Sequence, residues 1–207
     1  NLSKAVLEAS IDFTAWKTFW SGKQAIESSK SYLEVNLMVQ LIKPTVDLQP
    51  AYLSFYEEWK ASEEPMIPWV IEKDPSDFPA MVRSLLDAEK GIGLRENWVP
   101  DSTYWLVDEE YRILGVVNIR HSLTEYLLNA GGHIGYGVRP SERQKGYATK
   151  MLRLALEETK KLRINPVLVC CDAVNTASDK TIRSNGGVAD IDFVEDNGNV
   201  IKRYWIG

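Results

Sequence analysis

The order of apolar runs and turn signals predicts an α+β domain, a mixed β-sheet with helices on both faces. Two observations carry this. "TYWLVD" and "RILGVVNIRH" are strand-like runs joined only by the turn "EEY", which fits an antiparallel pair. From His133 to Asp172 a strand, an amphipathic helix and a continuous apolar run follow one another, a βαβ unit with a parallel pair.

The remaining elements follow in chain order. "VQLIK" reads as a first strand, and Asp47 as the cap of a helix in which Leu48, Tyr52, Phe55 and Trp59 recur at helical spacing. "SDFPAMVRSLLDAEKG" reads as a second helix ended by Gly91. "LTEYLLNAGG" is a short excursion closed by two glycines, before the strand "HIGYGVR". The helix from about Gln144 places Ala148, Met151, Leu152, Ala155 and Leu156 on one face. "PVLVCCD" is the next strand, "NTASDKTIRSNGG" a last helix, and "VADIDFVEDNGNVIKRYWI" a hairpin turned by Asn197-Gly198.

The chain has 207 residues, 44% hydrophobic and 26% charged, enough for one full core. Its net charge of -5 supplies no overall positive field toward nucleic acid or an anionic membrane. A small molecule or a basic partner fits better. No apolar run is long enough to span a bilayer, and the expected location is cytoplasmic. The two cysteines, Cys170 and Cys171, are adjacent and lack any metal-ligand spacing, so they read as strand packing rather than as nucleophiles, and no metal site is expected.

Residues 1–37 lack a clean apolar stripe, and the domain is expected to span 38–207. In a bacterial gene, codons for Leu33-Glu34-Val35-Asn36 can spell a ribosome-binding sequence just upstream of Met38. Translated upstream sequence and a genuine helical extension both remain open.

The stretch "VRPSERQKGYATKML" sits where a strand gives way to a helix. A helix start leaves backbone N–H groups unpaired and partially positive, a ready anion site. Gly146 leaves room for a phosphate, Ala148 keeps the next turn thin, and Arg143 or Lys145 adds charge at the rim. From physics alone, anion binding and a solvated basic turn remain equally open. Neither a P-loop nor a dinucleotide fingerprint is present, and ATP binding at this helix end would lack a magnesium carboxylate at motif spacing.

With Arg143, Gly146 and Ala148 after an apolar strand, and Asn175 after the next strand, the chain closely resembles the GNAT superfamily of acyl-CoA-dependent N-acyltransferases. The specific motifs lie between His133 and Gly187, while element order matches from Met38 onward. The resemblance implies acetyl-CoA as co-substrate, with no metal. It implies that pantetheine pairs with Tyr136, Gly137 and Val138, and that the Val138 N–H polarises the thioester carbonyl. It places the pyrophosphate on the amides of Gln144, Lys145, Gly146, Tyr147, Ala148 and Thr149, with Arg143 at the edge and Asn175 and Ser178 beside the pantetheine and thiol exit.

A protonated amine, with pKa about 10.4 for a lysine-like group, must lose a proton before attack. His133 stands where many members carry a basic Glu, and its ordinary pKa of about 6.5 suits a general base. A strand residue hydrogen-bonded to its neighbour is the other reading of His133; His121 is a weaker candidate. The family's proton-donating Tyr, seven positions after the Asn, is here Ile182. Water, Ser178 or Tyr136 are left to protonate the departing thiolate. Glu57, Glu58, Glu63 and Glu64 read as a solvated face. Trp59, Trp69 and Trp98 line a cleft or fill the core.

The resulting expectation is direct acetyl transfer to a primary amine, on a small molecule or a peptide, in a ternary complex. The alternative is a non-catalytic acyl-CoA-binding module. A homodimer is compatible with the family.

Overall fold

The structure, a computed structural model, describes residues 38–207. The expectations for residues 1–37 therefore lie outside the described residues. Four strands, β1 (Gln40–Ile42), β2 (Asp101–Val107), β3 (Ile113–Arg120) and β4 (Ile134–Val138), form an antiparallel sheet in that order. A second antiparallel sheet joins β5 (Val167–Asp172) to β8 (Val200–Ile206), which also takes the short strands β6 (Val188–Ala189) and β7 (Phe193–Val194).

Helices α1 (Gln49–Ala61) and α2 (Phe78–Ala88) cover one face of the first sheet; α3 (Tyr147–Lys161) and α4 (Thr176–Ser184) lie on the other side. Alternation along the strands divides the core accordingly. Trp105, Val107, Ile113 and Val116 meet Tyr52, Phe55 and Trp59 of α1 and Phe78, Met81 and Leu85 of α2. Leu106, Leu114, Val117, Ile119 and Ile134 meet Met151, Leu152 and Ala155 of α3 and Ile182 of α4. Each large apolar side chain buried this way contributes roughly 1.5–3 kcal/mol.

Helix starts follow local chemistry, with one correction. Asp77 caps α2 as its side chain accepts the Ala80 N–H at 3.0 Å, and Pro79 sits where no donor is needed. Asp47 is not the cap of α1. Thr45 accepts the Asp47 N–H at 3.3 Å, capping a 3₁₀ turn (Val46–Leu48) from which α1 continues. The excursion before β4 is a single π-helical turn, Leu127–Gly131.

The expected parallel pair is a second correction. β4 and β5 form no ladder. They meet at one point, where the His133 N–H donates to the Leu168 carbonyl at 2.7 Å, and beyond it they belong to separate sheets. Among the described residues no helix is long and apolar enough to cross a membrane.

Gly137 on β4 shows how closely the segment after α1 lies on the sheet. A Cβ there would run into the Ile67 carbonyl and the Trp59 ring. Gly137→Ala should lower the unfolding free energy by roughly 1–3 kcal/mol in urea titration, because backbone cannot yield as a flexible side chain would.

Candidate active site

Hydrogen-bond parity on β4 decides which backbone groups are free. The Arg120 N–H donates to the His133 carbonyl at 2.8 Å, and the Arg139 N–H donates to the Leu114 carbonyl at 2.8 Å. With the register between them, odd-numbered residues of β4 point their N–H and C=O at β3. The even-numbered residues, Tyr136 and Val138 among them, point away from β3 into the gap that β5 leaves.

That gap leads to the start of α3. Lys150 makes the first intrahelical bond, its N–H to the Gly146 carbonyl at 3.1 Å. The amides of Tyr147, Ala148 and Thr149 therefore have no intrahelical acceptor, and no side chain caps them. Gly146 is left-handed at φ 84, and a Cβ there would face open space toward the helix end. Gln144 is also left-handed, at φ 63. The free N–H groups at the helix start suit an anion with several oxygens.

The loop is tied to α1 through one carboxylate. Glu58 accepts from Arg139 Nε at 2.5 Å and from the Ser141 N–H at 2.8 Å. Burial pulls its carboxyl pKa up, yet the bonds from Ser141 and Arg139 outweigh it and leave the pKa below its ordinary value. Glu64 pairs with Arg143 Nη1 at 2.6 Å. Glu58 is partly buried and thus departs from the expected solvated face, while Glu64 stays exposed.

Arg143 also lies over the Trp59 ring, and its Nε donates to the Val138 carbonyl at 3.3 Å, so it borders the gap beside β4 as well as the loop. Lys145 pairs with Glu142 at 2.9 Å, and Glu142 is itself buried and held by Arg112.

Across the gap, Asn175 caps α4, its side-chain oxygen accepting the Ser178 N–H at 3.0 Å. The Tyr136 hydroxyl faces Ser178 and Thr181 but has no hydrogen-bond partner among the described residues. Burial pushes its pKa up to about 12, so it carries its proton at neutral pH. Ile182, at the position of the family Tyr, is a fully buried residue of α4. Cys171 packs in the core near Tyr136, and its thiol pKa is pushed up to about 11 by burial; that of Cys170 rises to about 12. Neither cysteine is poised as a thiolate.

His133 departs from the expectation of a base. Its Nδ1 accepts the Leu168 N–H at 2.9 Å, so the lone pair is occupied and the proton of the neutral ring sits on Nε2. Burial, aided by the Arg120 charge, pushes its pKa down to about 4. His121 bonds Ser102 at 2.9 Å beyond the end of β3. Trp59 is core, and Trp69 meets Trp98 edge-on with centroids 4.3 Å apart.

The sequence reading missed a buried polar group on the face covered by α1 and α2. Asp101, Thr103 and Asn118 are nearly inaccessible, with Asn118 Nδ2 donating to Asp101 at 2.5 Å and to Thr103 at 3.2 Å. Desolvation raises the Asp101 pKa despite the Asn118 bond and the Arg120 charge. Arg120 lies beside this group and over Gly135. The available signal was that polar residues recur on alternate positions of β2 and β3 that are apolar further along.

The sequence matches the acetyltransferase (GNAT) domain family over residues 36–188, more than half of the chain. The chain belongs to the GNAT acetyltransferase family. Solved structures of similar fold share little sequence with it.

The ribosomal L7/L12 alpha-N-protein acetyltransferase RimL in complex with coenzyme A aligns with a TM-score of 0.60 and 16% identity over 82% of this chain and 93% of that one. The microcin C7 self-immunity acetyltransferase MccE, in complex with acetyl-CoA and AMP, aligns with a TM-score of 0.58 and 16% identity over 83% and 93%. The spermidine/spermine N-acetyltransferase SpeG from Vibrio cholerae aligns with a TM-score of 0.54 and 16% identity over 83% and 94%. No curated protein matches the sequence. As a GNAT acetyltransferase the chain is an enzyme that uses an acyl-CoA donor. Among the described residues no cluster of three or more His, Cys, Asp or Glu side chains forms a metal site.

Two outcomes test this geometry. Gly146→Glu should abolish acetyl-CoA binding in calorimetric titration, because a carboxylate would fill the anion cradle, while the far-ultraviolet spectrum stays that of the parent. His133 titrates at about 4 when folded and near 6.5 when unfolded, so the unfolded chain binds more protons between those values. Stability should therefore fall as pH drops from about 6.5 to about 4, by up to ~1.4 kcal/mol per unit, and urea midpoints of His133→Asn should lose that part of the slope.

Proposed function

We propose that this enzyme transfers an acetyl group from acetyl-CoA to a primary amine by direct attack in a ternary complex. The observation that carries the reading is the continuity of free donors. The backbone N–H groups of Tyr136 and Val138 open into the same gap that ends at the uncapped amides of Tyr147, Ala148 and Thr149. Pantetheine would run as an added strand along Tyr136, Gly137 and Val138. The pyrophosphate would sit on the amides from Gln144 to Thr149, with Arg143 alongside. Asn175 and Ser178 would border the thiol end.

In the reaction the amine nitrogen, having given one proton to water, attacks the thioester carbon. The Val138 N–H stabilises the oxyanion that forms, a fixed dipole needing no reorganisation. The C–S bond then breaks. The thiolate takes a proton from Tyr136, with Ser178 beside it, and the added nitrogen's second proton restores Tyr136 as the amide forms. The sum is one ammonium and one thioester converted to an amide, CoA thiol and a released proton.

His133 is assigned a positioning role, pinning β4 to β5, and the amine is deprotonated through water. The buried, unpartnered hydroxyl of Tyr136 supports it as the proton donor in place of the family Tyr. Cys170 and Cys171, with raised pKa values, speak against a covalent acetyl-enzyme. We place the reaction in the cytoplasm, where acetyl-CoA and free thiols coexist.

Calorimetric titration with acetyl-CoA and with ATP should show micromolar binding of the first alone; no binding by the folded protein would overturn the reading. Tyr136→Phe should lower kcat by about 10²-fold with acetyl-CoA affinity within twofold of the parent, since it removes one proton and no backbone donor.

A further inference from the structure

The loop that joins β4 to α3 has few bonds of its own. After Val138 it makes one 3₁₀ turn, Pro140–Glu142, in which the Glu142 N–H donates to the Arg139 carbonyl at 2.9 Å and the Arg143 N–H to the Pro140 carbonyl at 3.4 Å. From Gln144 to Gly146 no backbone N–H finds an acceptor among the described residues, and two of these three residues are left-handed. Such a segment has many conformations open to it, and only some of them aim the Val138 N–H and the Tyr147, Ala148 and Thr149 amides into one gap.

Ties from outside the loop select among these conformations. Glu58 of α1 reaches both sides of the start of the turn: one carboxylate oxygen accepts from Arg139 Nε and the other from the Ser141 N–H at 2.8 Å. Arg139, which follows Val138 directly, is only 8% exposed, and Glu58 is its one ion-pair partner among the described residues. Its Nη2 donates to Ser54 of the same helix, to Oγ at 2.9 Å and to the carbonyl at 3.3 Å. A buried guanidinium stripped of its carboxylate would be driven toward water, and residues 139–143 would move with it.

Glu58 is not what docks α1. Tyr52, Phe55 and Trp59 do that, each at 3% exposure or less, in the core they share with Trp105 and Val116. The other ties to the loop act elsewhere on it. Arg112 holds Glu142 from just before β3, and the pair of Arg143 with Glu64 is too exposed to fix a backbone. Loss of the Glu58 carboxylate therefore frees the start of the loop while the fold stays in place.

We propose that Glu58 is a positioning residue for the coenzyme: by fixing Arg139 and Ser141 it holds the loop so that the Val138 N–H and the free amides of α3 face the same gap. This rests on the acetyl-CoA reading given above. Both carboxylate oxygens are taken up by loop donors, so Glu58 acts through the loop and not on the coenzyme itself.

The test uses the full chain, with acetyl-CoA as the probe in calorimetric titration and amide hydrogen exchange read segment by segment. Glu58→Ala should weaken acetyl-CoA binding by about tenfold. Glu58→Gln keeps an acceptor for the Ser141 N–H but loses the charge that pairs with Arg139, and should weaken binding by about threefold. In both variants exchange should quicken over residues 139–143 while β2 and β3 exchange as in the parent. Glu57→Ala, at the exposed neighbouring position, should change neither affinity nor exchange. A merely structural role would instead quicken exchange throughout the chain.

Parental affinity in Glu58→Ala, an equal loss in Glu57→Ala, or faster exchange spread evenly over the chain would each overturn the inference and leave the coenzyme site standing. Should Glu58→Ala fail to fold, Glu58→Gln decides alone, and parental affinity with parental exchange in that variant overturns the inference. Failure of the parent protein to bind acetyl-CoA would instead bring down the coenzyme reading and this inference with it.

Discussion

Leu168 gives both of its backbone groups to His133: its carbonyl accepts the His133 N–H, and its N–H donates to the imidazole. The carbonyls just before His133, those of Gly131 and Gly132, accept from Arg120. The side chain takes the place of a backbone acceptor, and pairing stops after one rung. At the same residue the His133 carbonyl serves β3 while its N–H serves β5, a division that regular strand geometry does not allow. Gly132, at φ 65, supplies the twist just before it. Everything proposed for the coenzyme depends on this parting, because a ladder continued along β5 would consume the donors of Tyr136 and Val138.

A strand edge left unpaired inside a domain is unstable unless the surrounding structure holds its two sides apart. On one side, Arg139 and Ser141 are tied to Glu58 of α1, and Arg143 to Glu64 and Trp59. On the other, Asn175 caps α4 and Ile182 anchors it against α3. The Glu58 ties are charge-assisted bonds with partial burial, and they couple the loop before α3 to α1.

What the sequence disclosed depended on how local the cause was. Gly146 and the apolar stripe of α3 were legible because a left-handed residue before a helix and a 3.6-residue period are local facts. The antiparallel pair of β2 and β3 was legible from one short turn. The parting of β4 from β5 was not, because "HIGYGVR" and "PVLVCCD" carry the same apolar pattern whether or not they pair, and the decisive contact is one imidazole across 35 residues. Glu58 looked solvated since its partners lie about eighty residues on. Asp101, Thr103 and Asn118 were unremarked although they fall on alternate positions, because the bonds that join them cross 17 and 15 residues of sequence.

The titration states of the site complete the argument about its chemistry. Neutral His133 has no basic lone pair, Tyr136 holds its proton to about 12, and both thiols hold theirs. A site so arranged is short of bases and well supplied with donors. It suits the later half of acyl transfer, stabilising an oxyanion and protonating a sulfur, while leaving the amine's first proton to solvent.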